Sequence, residues 1–215
     1  MGILSSIFGS TKSAAEILGE IAQEIVTSAV HFAQSLNEQH PDVADIKTYD
    51  AAGELIALLL NLTDEAFFNV FGDKGRNVMF DPVSQKVVEV YSECCLSDDT
   101  DSDNLAVFAQ HLINKINARS TLYASCISFS PEEGRSSKGS RKFAFMHFVH
   151  KSLGYTDKVL SDAYLATTGA IEKEDLEALP DFRECMELEV VVATSVKQLD
   201  LRNRCKGIVK ALKRM

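Results

Sequence analysis

The chain has 215 residues, of which 46% are hydrophobic and 25% are charged, with only 11 glycines and 4 prolines. These values are typical of a globular protein and exclude a largely disordered chain, and the scarcity of glycine and proline disfavours a turn-rich all-β fold. A chain of this length fits one domain and buries enough surface to fold without disulfides.

Charge is distributed unevenly along the chain. The net charge is −9, but residues 196–215 carry seven Lys or Arg against one acid, a net of +6. The rest of the chain therefore carries −15. An acidic body with a basic tail indicates either an interaction tail or internal charge complementarity.

The five cysteines indicate a reducing compartment. Their number is odd, Cys94 and Cys95 are adjacent, and no Cys-x-x-Cys pair occurs, so a disulfide framework is disfavoured. The first residues lack the charged region and long apolar core of a signal peptide, and the most apolar window, residues 51–62, is too short to span a bilayer. We therefore expect a soluble, cytoplasmic, acidic protein.

Two regions are predicted: a flexible or amphipathic segment at residues 1–10 and an all-α domain at residues 11–215. If the first segment is helical, one side of it is apolar. Such a side either docks on the protein itself or inserts shallowly into a membrane. The residues on this side are Ile3, Leu4, Ile7 and Phe8.

The first predicted helix begins at a capping box, in which Ser13 and Glu16 each bind the other's backbone N–H. Apolar residues then recur at steps of three and four until Pro41 ends the helix. A second helix is predicted from Thr48 or Asp50 to the apolar residues before Asn61.

Two interruptions are predicted in the stretch that follows. The polar residues at 61–63 predict a break, after which Thr63 caps a short helix that Gly72 closes. Asp81 followed by Pro82 predicts a new helix start, with aspartate as the N-cap and proline as the first helical residue.

An acidic loop at residues 97–104 precedes a helix that Ser102 or Asp103 caps. Its aspartates match the first ligand positions of an EF-hand calcium loop. Asn104, however, stands where glycine is needed, and Gln110 stands where the bidentate glutamate is needed. The pattern therefore favours a solvated loop over a calcium site.

The stretch Phe143–Val149 is apolar around its whole circumference, which predicts a helix enclosed by other helices. Ser140 and Gly154 frame it as N-cap and C-terminal stop. Further helices are predicted at residues 158–168 and 171–179, and from residue 182 to the C-terminus. The sequence thus predicts an all-α, single-domain multi-helix bundle of about seven to nine helices around Phe143–Val149.

The C-terminal helix has two distinct faces. An apolar stripe predicts packing against the body, and a neighbouring basic stripe indicates a cation-rich last turn or a contact surface for an anionic membrane or an acidic protein. Nucleic acid is disfavoured as a partner because the body is strongly acidic and no nucleic-acid-binding motif occurs. The basic stripe consists of Arg202, Lys206, Lys210 and Lys213.

His147 and His150 lie one helical turn apart, as two metal ligands do, but no third ligand pattern accompanies them. The alternative is a pair of partly buried histidines with local hydrogen bonds. No nucleophile elbow, phosphate-binding loop or dinucleotide fingerprint occurs. The sequence therefore predicts no catalytic residue, metal or cofactor and disfavours an enzyme, although a triad assembled from distant residues stays open.

Three functional hypotheses follow. The first is a non-enzymatic cytoplasmic helical protein that binds another protein or self-associates, because the first helix and the segment near Phe67 and Phe71 offer more apolar surface than one packed face needs. The second is a peripheral membrane protein that uses the N-terminal segment and the basic C-terminal helix. The third is a helical ligand- or metal-binding protein or enzyme that uses the region of His147 and His150.

Overall fold

The computed structural model of the chain describes residues 12–95, 102–126, 141–155 and 182–214. These residues are helical apart from short connections and contain no β-strand, which confirms the predicted all-α class. They form six helices: α1 Ala14–Gln39, α2 Asp45–Cys95, α3 Ser102–Ser125, α4 Arg141–Leu153, α5 Phe182–Leu199 and α6 Leu201–Leu212.

Six helices in these ranges are fewer than the seven to nine predicted. One reason is that α2 unites segments that were predicted to be separate. Thr63 does not start a new helix. It lies inside α2, where its Oγ1 donates a hydrogen bond of 2.8 Å to the Leu59 carbonyl one turn earlier. The segment at residues 1–10 and the helices predicted at 158–168 and 171–179 lie outside the described residues.

Helix α1 begins and ends as predicted. The Ser13 backbone N–H donates to the Glu16 carboxylate at 2.6 Å, and the Glu16 N–H donates to Ser13 Oγ at 3.2 Å, which completes the capping box. The helix ends at Gln39, shortly before Pro41. This cap satisfies two backbone donors that the first turn of a helix leaves without partners.

Helix α2 reverses its direction at Gly72, whose backbone dihedrals are φ 66° and ψ −176°. The Tyr91 hydroxyl donates a 2.9 Å hydrogen bond to the Tyr49 carbonyl, 42 residues earlier in the sequence. In a straight helix these residues would be roughly 60 Å apart. The two arms of α2, residues 45–71 and 73–95, therefore form an antiparallel hairpin, in which Gly72 is the predicted stop.

Asp81 and Pro82 do not start a helix, contrary to the prediction, because the second arm is already helical at residue 73. Proline has no N–H and leaves the carbonyl four residues earlier without its helical donor. That carbonyl belongs to Val78, which is exposed, so water can bind it. The missing bond is thereby tolerated at the surface.

Alanine in place of Gly72 is expected to destabilise the fold by about 1–3 kcal/mol, because L-residues rarely adopt this backbone conformation. A Cβ added at Gly72 meets no atom within 4 Å, so the cost is conformational rather than steric. Gly19, an exposed position within helix α1, is the matched control, since a Cβ there also meets nothing within 4 Å. Gly19→Ala is expected to stabilise by roughly 0.5–1 kcal/mol. Urea unfolding measures the free energy of unfolding of both variants. A change of the same sign in the two variants would contradict the hairpin geometry.

The centre of the bundle is the first arm of α2, and not Phe143–Val149 as predicted. Every residue from 51 to 60 is buried, since the arm lies against α1, α3 and α4. In α4, by contrast, only one side is enclosed: Phe145 and Val149 are buried, whereas Met146 and Phe148 are half-buried. Helix α4 spans Arg141–Leu153 and is followed by the predicted stop, Gly154, at φ 106°, whereas the predicted N-cap, Ser140, lies outside the described residues.

By length and composition alone, α2 qualifies as a helix that could cross a membrane. The helix is not straight, however, because it reverses at Gly72, and residues 51–60 are apolar because they are buried between other helices. An apolar helix enclosed by other helices shows the same pattern as a membrane span. We therefore interpret this stretch as the core of the bundle.

The helices alternate in direction, which places several termini at the end of the bundle where Gly72 lies, here called the turn end. Helix α3 runs parallel to the first arm, with His111 beside Asp50 and Arg119 beside Glu54. Helix α4 runs antiparallel, from the contact of Arg141 with Glu65 to that of its last turn with Asp50. Helix α3 thus ends, and α4 begins, at the turn end.

Helices α1 and α6 also have one terminus each at the turn end. Helix α1 is joined to α2 by a short connection and packs antiparallel to the first arm, each being about 40 Å long. Helix α6 runs antiparallel to α1: Arg204 pairs with Glu24 at 3.6 Å, and a Cβ at Gly207 would lie 3.1 Å from Ile17 Cδ1. The start of α1 and the last turn of α6 therefore lie together.

Candidate interaction surface at the turn end

The tip of the α2 hairpin, residues 68–82, projects from the bundle. No residue in this range is buried, and three large apolar side chains are strongly exposed. Their exposed fractions are 51% for Phe68, 47% for Val70 and 67% for Val78. Three further apolar residues of the tip are half-buried: Phe71, Met79 and Phe80.

The hairpin tip is anchored at its base. Phe67 is fully buried and packs edge-on against Phe71, with ring centroids 5.9 Å apart. The Arg76 guanidinium forms a two-pronged ion pair with Asp64, with Nη2 2.6 Å from Oδ2. Because the ion pair joins the two arms and the ring contact fixes the end of the first arm, the exposed side chains are held in fixed positions rather than on a loose loop.

The C-terminal helix α6 separates its two faces as predicted. Cys205 and Ile208 are buried against the body, and Leu212, at the end of the stripe, is 39% exposed. All four predicted cationic residues are exposed, and none forms an ion pair with another described residue. They are Arg202, Lys206, Lys210 and Lys213. The predicted N-terminal contact residues, Ile3, Leu4, Ile7 and Phe8, lie outside the described part of the chain.

A buried charge cluster joins α2, α3 and α4. No sequence motif predicts this cluster. Its central group is Glu54, which is 1% exposed. Arg119 binds this carboxylate with Nε at 2.7 Å and Nη2 at 3.0 Å, and Lys115 Nζ lies 3.2 Å away. The same Lys115 Nζ lies 2.6 Å from Asp50 Oδ1. Two carboxylates and two cations thus neutralise each other between the helices.

Groups around the cluster complete its hydrogen bonds. Burial raises the pKa of Asp50, but the nearby Lys115 ammonium and hydrogen bonds from Lys115, Ser152 and His111 outweigh burial and leave the pKa lowered. The Ser152 hydroxyl and His111 Nε2 donate to Asp50 at 2.8 and 2.9 Å. The Arg119 guanidinium also stacks on the Phe148 ring, 3.4 Å from its centroid. The cluster therefore holds α2, α3 and α4 together in one register.

The two metal candidates in α4 have different surroundings. His150 is 3% exposed, and its Nδ1 donates to the Met146 carbonyl at 2.9 Å. His147 is half-buried and packs edge-on against Phe148. In the ranges that the structure describes, no group of three or more His, Cys, Asp or Glu side chains is placed to hold a metal ion. The aspartates of the calcium-like loop at 99–103 fall largely outside these ranges.

Burial of His150 makes the stability of the fold sensitive to acid. The pKa of His150 is lowered to about 4, mainly by burial; the hydrogen bond to the Met146 carbonyl opposes this shift, and the neighbouring His40 and His147 add to it. The unfolded chain binds the proton more tightly, so the stabilisation is complete above about pH 6.5 and is lost as the pH falls towards 4. We expect a loss on the order of 3 kcal/mol across this window.

Urea unfolding at several pH values measures this effect in the parent protein and in two variants. The slope of stability against pH between about 6.5 and 4 is expected to fall in His150→Leu. It is expected to persist in His31→Ala, because His31 is exposed. An unchanged slope in His150→Leu would refute the assignment.

The cysteines with described side chains are poor nucleophiles where burial acts on them. Burial raises the pKa of Cys95 to about 12 despite a hydrogen bond with Tyr91 that acts to lower it. Burial also raises the pKa of Cys126 and of Cys205. Because their pKa values are raised, these three groups are thiols at neutral pH. The thiolate is the reactive form of cysteine, so the three groups react slowly as nucleophiles.

Comparison of the chain with protein-family models, with curated proteins and with solved structures finds no match.

Proposed function

We propose that this protein is a non-enzymatic, cytoplasmic helical protein that acts by protein–protein contact, and that the hairpin tip is the contact surface. The observation that carries the proposal is the exposure of Phe68, Val70 and Val78 on a projecting, anchored turn in which no residue is buried. Single exposed apolar residues are ordinary, whereas several large ones within one short turn are typical of a contact site.

The partner that we propose for this surface is a second copy of the chain. In a twofold dimer the same patch meets itself, so two hairpin tips would shield each other's apolar side chains. The tip is smaller than the roughly 20–30 residues a side of a stable interface. We therefore expect a weak dimer whose population rises with protein concentration, rather than a permanent one.

The buried charge cluster supports a structural role rather than a catalytic one. Asp50, Glu54, Lys115 and Arg119 are committed to one another, and the exposed His111 contributes to the same cluster. A general acid or base needs a group that can exchange protons with a substrate at the site of reaction. The buried cluster is instead arranged to hold the helices that present the hairpin tip.

Sedimentation equilibrium of the parent protein and two double variants tests the proposal. Phe68→Ser with Val78→Ser removes the two most exposed of the three apolar side chains and is expected to leave a monomer of 23.7 kDa at concentrations where the parent protein forms dimers. The matched control, Val107→Ser with Val190→Ser, alters valines that are 69% and 62% exposed elsewhere, and it is expected to dimerise like the parent.

Two results would overturn the proposal. One is equal weakening of the dimer by both double variants, which would mean that apolar exposure in general, and not the tip, drives association. The other is a parent protein that stays monomeric at every concentration and whose tip variant binds the same proteins from an extract of the source cells as the parent does.

A further inference from the structure

Helices α5 and α6 are joined by a single residue, Asp200, which interrupts the helix between them. Asp200 has φ 40° and ψ 45°, and it is the one non-glycine residue with a positive φ in the part of the chain that the structure describes. This left-handed conformation is unfavourable for L-residues, although aspartate tolerates it better than most. Right-handed dihedrals at this one position would join α5 and α6 into a continuous helix over residues 182–212.

The positions of the buried residues explain why the chain bends at Asp200. In α5, Leu188 and Leu199 are buried, and at about 100° per residue they lie on the same side of the helix. In a continuous helix, the buried residues of α6, Cys205 and Ile208, would lie roughly 140° away from that side. A straight helix therefore cannot bury both sets against one bundle, and its α6 half would present an apolar side to a second molecule.

Helix α6 docks on α1 and α2 through contacts that depend on its side chains and not on its connection to α5. Arg204 pairs with Glu24 of α1 at 3.6 Å, and Gly207 lies against Ile17. Arg204 Nη1 is buried and has no hydrogen-bond acceptor within the described ranges, which lowers the cost of detaching the helix. The α6 of a second copy makes the same contacts when it takes this place.

We propose that α6 is an exchangeable arm: when Asp200 adopts right-handed dihedrals, α6 leaves its own bundle and docks on α1 and α2 of a second copy, whose α6 docks in return. The twofold dimer restores the contacts of α6 and removes the left-handed backbone from both chains. It is the minor form of the parent protein, because aspartate tolerates the bend and association costs entropy. The inference is independent of contact between hairpin tips.

Substitutions at residue 200 move this equilibrium in opposite directions, in full-length chains that also carry Phe68→Ser with Val78→Ser to remove contact between hairpin tips. Asp200→Ala is expected to raise the association constant of the dimer roughly tenfold or more, because alanine disfavours the bend and favours a continuous helix. Asp200→Gly is expected to lower it roughly tenfold, because glycine adopts a positive φ freely and weakens a helix. Sedimentation equilibrium after long incubation at high concentration measures the association constant.

Asp200→Asn is the matched control, because asparagine also tolerates the left-handed conformation while the negative charge is lost. It is expected to associate as the Asp200 chain does. Equal association constants for Asp200→Ala and Asp200→Gly would overturn the proposal.

Charge reversal identifies α6 as the exchanged element. Glu24→Arg alone and Arg204→Glu alone each place like charges where α6 docks on its own bundle. In an equimolar mixture of the two variants, exchange of α6 restores opposite charges at both docking sites, because Arg204 of one chain meets Glu24 of the other and the two reversed residues also meet. Native mass spectrometry of the mixture is therefore expected to show heterodimers in excess of the statistical ratio.

The outcomes of the mixing experiment separate this inference from the proposed role of the hairpin tip. Contact between tips joins the two variants at random and gives heterodimers in the statistical ratio alone, and that result would overturn the exchange of α6. Addition of Asp200→Gly to both chains is expected to reduce the excess of heterodimers. An undiminished excess would overturn the assignment of the hinge to Asp200.

Discussion

Glu54→Gln is expected to lower the free energy of unfolding by about 3–5 kcal/mol, the range for breaking a buried ion pair by removing one partner. The substitution keeps the shape of the side chain and removes its charge. Arg119 and Lys115 would then keep their charges beside a neutral amide in a site where Glu54 is 1% exposed. Urea unfolding at neutral pH measures the loss.

Glu65→Gln is the matched control, because Glu65 also pairs with an arginine, Arg141, but is half exposed. The control is expected to cost less than about 1 kcal/mol, as exposed ion pairs do. Replacing both Glu54 and Arg119 by leucine is expected to recover much of the loss, because no charge is then left without a partner. A cost for Glu54→Gln as small as that of the control would contradict the closed cluster.

Leu58→Ala is expected to destabilise the fold by about 3–5 kcal/mol, near the top of the range for core leucines. Leu58 is fully buried in the arm that lies against α1, α3 and α4, so the helices around it cannot easily close the cavity. Thermal or urea unfolding measures the change.

Val107→Ala is the control for Leu58→Ala, because Val107 is 69% exposed on α3. It is expected to change stability by no more than about 0.5 kcal/mol. If Leu58→Ala costs less than Met146→Ala, at a half-buried position of α4, then the core would be centred on α4 and not on the first arm of α2.

The sequence predicts the helix boundaries best where one local signal decides them. The capping box of Ser13 and Glu16, the stop at Gly154 and the stop at Gly72 are all present in the structure. In each case the deciding chemistry lies within a few residues: a side chain that binds a backbone N–H, or a glycine that adopts a positive φ.

The location of the core is not predictable from local pattern alone. The stretch at residues 51–60 belongs to the most apolar window of the sequence, but it contains Glu54, and a charged residue is rarely buried without a partner. The partner that allows this burial, Arg119, is 65 residues away in sequence. Phe143–Val149 has no such charge and looks more deeply buried than it is.

The local signals for a helix break and for a helix start are both overridden in α2 for a related reason. Residues 61–63 have the composition of a break, but both Asn61 and Thr63 are buried in the packed arm, and packing outweighs their weak preference for a turn. Asp81 and Pro82 have the composition of a helix start, but helical residues precede them on an exposed surface that accepts the missing hydrogen bond.

The candidate surfaces are partly visible in the sequence. Periodicity alone predicts the cationic and apolar stripes of α6, and the surplus of apolar residues near Phe67 and Phe71 indicates a contact region. What the sequence does not predict is that the hairpin tip, the last turn of α6 and the start of α1 lie at the same end of the bundle. That arrangement depends on long-range packing of α1 with α6, through Glu24 and Arg204 and through Ile17 and Gly207.

Hydrogen–deuterium exchange at low and high protein concentration tests most directly whether the hairpin tip is a contact surface. Backbone amides of residues 68–82 are expected to exchange more slowly at high concentration, because association shields them, while those of α3 and α6 are unchanged. Unchanged exchange at the tip together with new protection in α6 or α5 would contradict the proposal and would place the contact between copies elsewhere.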